Sequence, residues 1–137
     1  MPTTITPTAT NAANQTRVPR NNGSQPTITI DNDNFDDAHD FLIEKRDIRT
    51  LAFQIKNIGS SNGLSFEIYG SIDPASTAPA FALKDWELQT NGSGNIAALT
   101  NEIFESTSYL VWILVRLKRQ TASMDTTSDI LTTSGTR

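Results

Sequence analysis

The sequence predicts an all-β protein, an antiparallel β-sandwich of about seven or eight short strands with an extended N-terminal arm. Three observations predict it. Apolar residues alternate with other residues through Leu51, Phe53 and Ile55 and again through Leu64, Phe66 and Ile68, the period of two that a half-buried strand requires. Gly, Asn, Pro and Asp punctuate the chain at short intervals, as at Asn62-Gly63, Asp73-Pro74 and Asn91-Gly92. No stretch carries the periodicity of an amphipathic helix over a normal helix length, so helical crossovers are not expected and neighbouring strands should be antiparallel throughout.

The run Y-L-V-W-I-L-V-R-L-K-R-Q, from Tyr109 to Gln120, is the central strand of this reading. Tyr109, Val111, Ile113, Val115 and Leu117 fall on one side and belong to a core. Leu110, Trp112 and Leu114 fall on the other side, which turns charged at Arg116 and Lys118. The run is too short for a membrane helix, which needs about 20 apolar residues. Its first half is apolar on both faces, so both faces must be covered. The chain itself can cover the second face, or that face is an oligomer interface built on Leu110, Trp112, Leu114 and Arg116.

The remaining elements follow from the same arguments. Residues 1–26 form the arm and residues 27–137 the sandwich domain. Within Met1 to Gln25 the large aliphatic residues are Ile5 and Val18 and the charges are Arg17 and Arg20, too little apolar surface to offset ordering entropy in isolation. The arm is therefore expected to order on a partner, through Ile5, Arg17, Val18 and Arg20. Thr27 to Ile30 is a short strand, Asp40 to Ile48 a second and Arg49 to Asn57 a third. Asn62-Gly63, suited to positive φ, should close a hairpin between the strand ending at Asn57 and the strand beginning at Leu64. Pro74 ends that strand. Lys84 to Thr90 and Ile96 to Leu99 read as short strands separated by an Asn91 to Asn95 turn, Asn101 to Ser108 as a polar connection, and Thr127 to Thr133 as an edge strand.

Composition narrows the function. The chain has 137 residues, enough for one domain with one core. A net charge of -4 argues against direct nucleic-acid binding, which relies on Lys and Arg at phosphates. With no cysteine there is no disulfide framework and no thiolate zinc site. The first residues lack a basic and then apolar leader, so use without Sec export is expected, and no membrane association is.

Catalytic chemistry finds little to work with. His39 is the one histidine and lies among acids, a poor general base for a Ser or Thr nucleophile. Glu67, Glu87, Glu102 and Glu105 are the carboxylates available for paired acid–base work, but nothing in their spacing joins them. The segment D-N-D-N-F-D-D-A-H-D places five aspartates in ten residues. It fails as an EF-hand, since Phe35, Asp36 and Leu42 stand where a ligand, Gly and Glu are needed. A looser Ca2+ site from Asp31, Asp33, Asp36 and Asp37 is the alternative to a solvated acidic turn. No other cofactor is expected, and the protein is expected not to be an enzyme.

The segments R-T-L-A-F-Q-I-K-N-I-G-S, L-S-F-E-I-Y-G-S-I-D, D-W-E-L and Y-L-V-W-I-L-V-R-L-K together resemble a pattern of small β-sandwich virion proteins of tailed phages. The resemblance covers roughly residues 40 to 120 and implies a structural role: a capsid decoration or cement protein, or a tail or head-tail connector component. It implies assembly in the host cytoplasm, residence in the virion, and partners that are further copies of the chain, for example in a trimer, and the major capsid protein. Immunoglobulin-like carbohydrate-binding modules share similar patterns, so a glycan-binding module with Trp86, Trp112 or Tyr69 stacking on a sugar is the alternative.

Overall fold

Alternation places the strands where the sequence predicts most of them, and non-local pairing decides how they join. A computed structural model describes residues 4–5, 15–17, 23–24, 27–35, 39–72 and 86–135. The described strands are β1 (Thr4–Ile5), β2 (Gln15–Arg17), β3 (Gly23–Ser24), β4 (Ile28–Ile30), β5 (His39–Glu44), β6 (Thr50–Asn57), β7 (Leu64–Ser71), β8 (Trp86–Ile96), β9 (Asn101–Ser106), β10 (Trp112–Arg119) and β11 (Thr126–Gly135). One sheet runs β1-β8-β7-β10-β5-β2. The other runs β3-β11-β6-β9, with β4 also paired to β11, on the side away from β6.

Without the three arm segments this is a sandwich of two four-stranded antiparallel sheets. Its eight strands nest: β4 pairs β11, β5 pairs β10, β6 pairs β9 and β7 pairs β8. Such a chain is one long hairpin rolled so that successive pairs fall in alternate sheets, the jelly-roll order of two Greek keys. Ile30, Phe41, Ile43, Phe53, Ile55, Phe66, Ile68, Ile113, Val115, Leu117 and Ile130 fill the space between the sheets. Each comes from the inward position of its strand, as the period of two requires.

The nesting corrects the expected hairpin. β6 and β7 lie in different sheets, and the segment between them is a corner. Asn57 holds that corner from inside. Its Nδ2 donates to Asn62 O at 2.8 Å and Ile96 O at 3.0 Å, while its Oδ1 accepts from Gly59 N at 3.1 Å and Thr126 Oγ1 at 2.5 Å. Asn62 Nδ2 donates in turn to Met124 O. Positive φ is not used at Asn62-Gly63, where side-chain amides rather than a tight turn satisfy the backbone. A Cβ on Gly59 would lie 2.1 Å from Thr126 Oγ1, so close packing fixes that glycine.

Five further expectations change. Asn91 to Asn95 is no turn but part of β8, which bulges: the pairs Glu67↔Ser93 and Tyr69↔Leu88 leave Gln89, Thr90, Asn91 and Gly92 opposite Ile68. Asn91 takes φ 57°, and a Cβ on Gly92 would lie 2.8 Å from Ile68 O. The polar Asn101 to Ser106 is strand β9, tied to the core by Phe104, whose ring stacks on Phe53 at 5.3 Å and meets Phe66 edge-on at 5.1 Å. β11 is interior to its sheet rather than an edge, and the Ala97 to Leu99 segment is a turn with Leu99 at φ 61°. The pairing is not antiparallel throughout, because β2 joins β5 in parallel.

Candidate functional site

The outer faces of the two sheets differ sharply. On β10, Trp112, Leu114 and Arg116 point away from the core. Cross-strand register sets Leu114 between Leu42 and Tyr69, and Trp112 between Glu44 and Ser71. Trp112 and Leu114 are fully buried, and Leu42, Tyr69, Ser71 and Arg116 nearly so. Arg116 Nη2 donates to Phe35 O. Leu110 packs against the main core, and a Cβ on Gly70 would lie 2.7 Å from its Cδ1. The expectation that both faces of this strand are covered is met. The expected oligomer interface is corrected at Trp112, Leu114 and Arg116, which are buried within the single chain and have no surface to present, whereas Leu110 is only partly buried. Tyr109, expected in the core, is 91% exposed, at a depression of about 720 Å³ that Ile72, Arg46 and Arg49 also line.

The outer face of the second sheet is open. Across β9, β6 and β11 it presents three rows: Asn101, Lys56 and Asp129; then Ile103, Gln54 and Leu131; then Glu105, Ala52 and Thr133. Ile103 is 67% exposed and Leu131 37%. Gln54 Nε2 donates to Asn101 Oδ1 at 2.8 Å. The Oδ1 of Asp129 is buried on this side with no hydrogen-bond partner. Sequence analysis missed this face because β9 reads as a loop and its Ile103 as an isolated apolar residue.

Between the edge strands β8 and β9 lies a groove of about 410 Å³. Phe53, Ile68, Phe104 and Ile113 floor it, and Glu102, Asn91 and Ser106 stand at its rim. Ser106 Oγ is buried there without a partner. Glu102 points inward on an edge strand, a placement that also discourages edge-to-edge pairing.

The arm pairs with strands of both sheets. Thr4 and Ile5 pair with Glu87 and Trp86, Gln15 to Arg17 with Asp40 to Leu42, and Gly23 and Ser24 with Thr132 and Leu131. Ile5 and Arg17 of the expected docking set thus lie in paired strands. Val18 and Arg20 lie outside the described residues.

The acidic segment is pinned to the end of β10. Arg119 Nε and Nη2 donate to Asp33 at 2.6 and 3.1 Å, and Nη1 donates to Asp125 at 2.6 Å. Asn32 Nδ2 donates to Leu117 O at 2.9 Å, and Lys118 Nζ sits 5.4 Å from the centre of the Phe35 ring. The hydrogen bond from Arg119 holds the Asp33 carboxyl below its ordinary range. Asp33 is thus paired with Arg119, and among the described residues no three acidic or histidine groups gather at one metal site. Asp36 and Asp37 lie outside the described residues, and Asp31 has a partner of its own. At the opposite end of β10 the buried Lys45 donates from Nζ to Arg49 O at 3.2 Å and to Ser108 O, and burial pushes its ammonium pKa down. Of the rings considered for sugar stacking, Trp112 and Tyr69 are buried, and only the backbone of Trp86 is described.

No protein-family model and no curated protein matches this chain. Its structural relatives are distant. The surface-associated copper-binding protein CorA, important in copper acquisition by Methylomicrobium album BG8, superposes with a TM-score of 0.58 at 6% identity, over 88% of this chain and 98% of that one. The pre-peptidase C-terminal domain of a Bacillus anthracis collagenase gives 0.47 at 9%, over 86% and 93%. The SPBc2 prophage-derived protein YomS gives 0.39 at 13%, over 80% and 92%. At such identities the likeness is one of fold alone, and what this chain shares with these diverse proteins is a generic small β-sandwich.

Proposed function

We propose that the protein is a non-enzymatic structural component of a virus particle, a capsid decoration protein that acts by contact with its own copies and with the major capsid protein. The observation that carries this reading is the arm: short segments of it pair with strands of both sheets. The strands so formed hold two or three residues each. A net hydrogen bond contributes roughly 0.5 to 1.5 kcal/mol, so each such pairing is weak once ordering entropy is counted. A weakly held segment can leave its own sheet and pair with the equivalent edge of a neighbour at little net cost, which is strand exchange between copies. The resemblance of the strand segments to phage virion sandwiches supports the same reading. Assembly would take place in the host cytoplasm and residence would be in the virion.

The test is light scattering on the full chain and on a chain lacking Met1 to Gln25, with circular dichroism to check that both are folded. Loss of assemblies larger than a dimer on deletion is expected. Unchanged mass in a folded, arm-less chain would contradict the reading.

A further inference from the structure

We propose that the outer face of the β9-β6-β11 sheet is a docking surface for the same face of a second copy, related by a two-fold axis that lies across the strands through the Ile103–Gln54–Leu131 row. The proposal rests on the contact-making role above for its purpose, but the surface is argued from its own chemistry.

Self-complementarity carries the argument. A two-fold across the strands keeps each strand over its own copy and reverses its direction, so the Asn101–Lys56–Asp129 row lies over the Glu105–Ala52–Thr133 row of the second copy. The Asn101 amide then faces the second copy's Glu105 carboxylate, a donor against an acceptor. Lys56 faces the small Ala52, which leaves its long side chain room to reach that same Glu105 on the adjacent strand, about 4.8 Å to the side. Asp129 faces the second copy's Thr133, whose hydroxyl is a donor to the carboxylate. In the middle row Ile103 meets Ile103 and Leu131 meets Leu131, which removes their exposed apolar surface from water. The other in-plane axis, along the strands, sets Lys56 over Lys56 and is opposed by charge.

The size of the face sets the strength. Three strands about 4.8 Å apart and on average roughly eight residues long make a face of roughly 400 Å². A standard interface uses roughly 800 Å² on each partner, so a dimer with a dissociation constant in the micromolar range or weaker follows. Arrayed copies on a particle would strengthen it by raising the effective concentration.

Sedimentation equilibrium of the full chain tests this. Lys56→Glu and Glu105→Lys should each weaken dimerisation at least tenfold. The double variant should recover most of the loss, because the reversed charges again face each other. Ile103→Asp should abolish the dimer, and since Ile103 is largely exposed its thermal unfolding should stay near wild type. A full chain that stays monomeric up to about 1 mM, single variants that associate like wild type, or a double variant that does not recover would each overturn the proposal. Arm deletion reports on the strand-exchange reading and these face variants report on the two-fold contact, so the failure of either is told apart from the failure of the other.

Discussion

The two outer faces of this sandwich carry apolar residues at corresponding outward positions, yet one is sealed and the other bare. On β10 the outward Trp112 and Leu114 are each 0% exposed. On β9 and β11 the outward Ile103 and Leu131 face solvent. The difference lies in what the rest of the chain does. A strand that is apolar on both sides, as β10 is, needs cover on both faces, and Trp112 and Leu114 are buried within this chain. A strand with one outward apolar residue among polar ones, as β9 is, folds without a second layer and leaves that residue in solvent. The stretch that looks most like an interface in sequence is thus buried, and the exposed apolar residues lie on the plainest strand.

The largest expected effect separates the two faces directly. Trp112→Ala should cost about 3 to 5 kcal/mol, because it empties a fully buried site, while Ile103→Ala should stay within about 0.5 kcal/mol. Chemical denaturation of dilute protein measures both, and comparable losses would mean that the Ile103 face is also covered within the chain. Next comes the corner that passes the chain from one sheet to the other. Asn57→Ala removes four hydrogen bonds of a buried amide and should cost about 2 to 4 kcal/mol, read by the same denaturation. A loss below about 0.5 kcal/mol would show that the corner is held by something other than Asn57.

Lys45 sharpens the contrast at the sealed side. Its folded pKa lies below the ordinary value of about 10.5, so the unfolded chain holds its proton more tightly. Stability should therefore rise with pH between the lowered value and about 10.5, and this component should be missing in Lys45→Met. Parallel stability–pH curves for the two proteins in that window would contradict the burial argument. The smallest effect belongs to Asp33 at the exposed end of β10. Its folded pKa is depressed below about 3.8, so its contribution is present above that value and fades as pH falls through the folded one. Asp33→Asn should flatten the acid limb of the stability curve, and an unchanged limb would show that the Arg119 contact is idle in solution.

How much of this was legible in the sequence depends on whether the information was local. β6, β7 and β10 announce themselves because their inward residues alternate without interruption. β9 does not, since Phe104 is its one large inward residue and charged or amide side chains surround it. The Asn91-Gly92 pair reads as a turn because its local chemistry is that of a turn, while the fold uses the same positive φ to make a bulge. The corner between β6 and β7 is invisible for a different reason: Asn57 reaches Ile96 and Thr126, partners that no local pattern connects to it. The nested order of strands is likewise a property of distant pairs. As for the surfaces, exposure depends on what packs over a face, and a pattern of alternation fixes only which residues share it.

The most direct measurement exploits the absence of cysteine from the chain. Gln54→Cys places a single thiol at the centre of the bare face, and Tyr109→Cys places one at a more exposed point away from it. With a short bis-maleimide at protein concentrations that populate the dimer, Gln54→Cys should cross-link rapidly into a covalent dimer and Tyr109→Cys only slowly. Equal rates for the two, or no dimer from Gln54→Cys, would contradict the account.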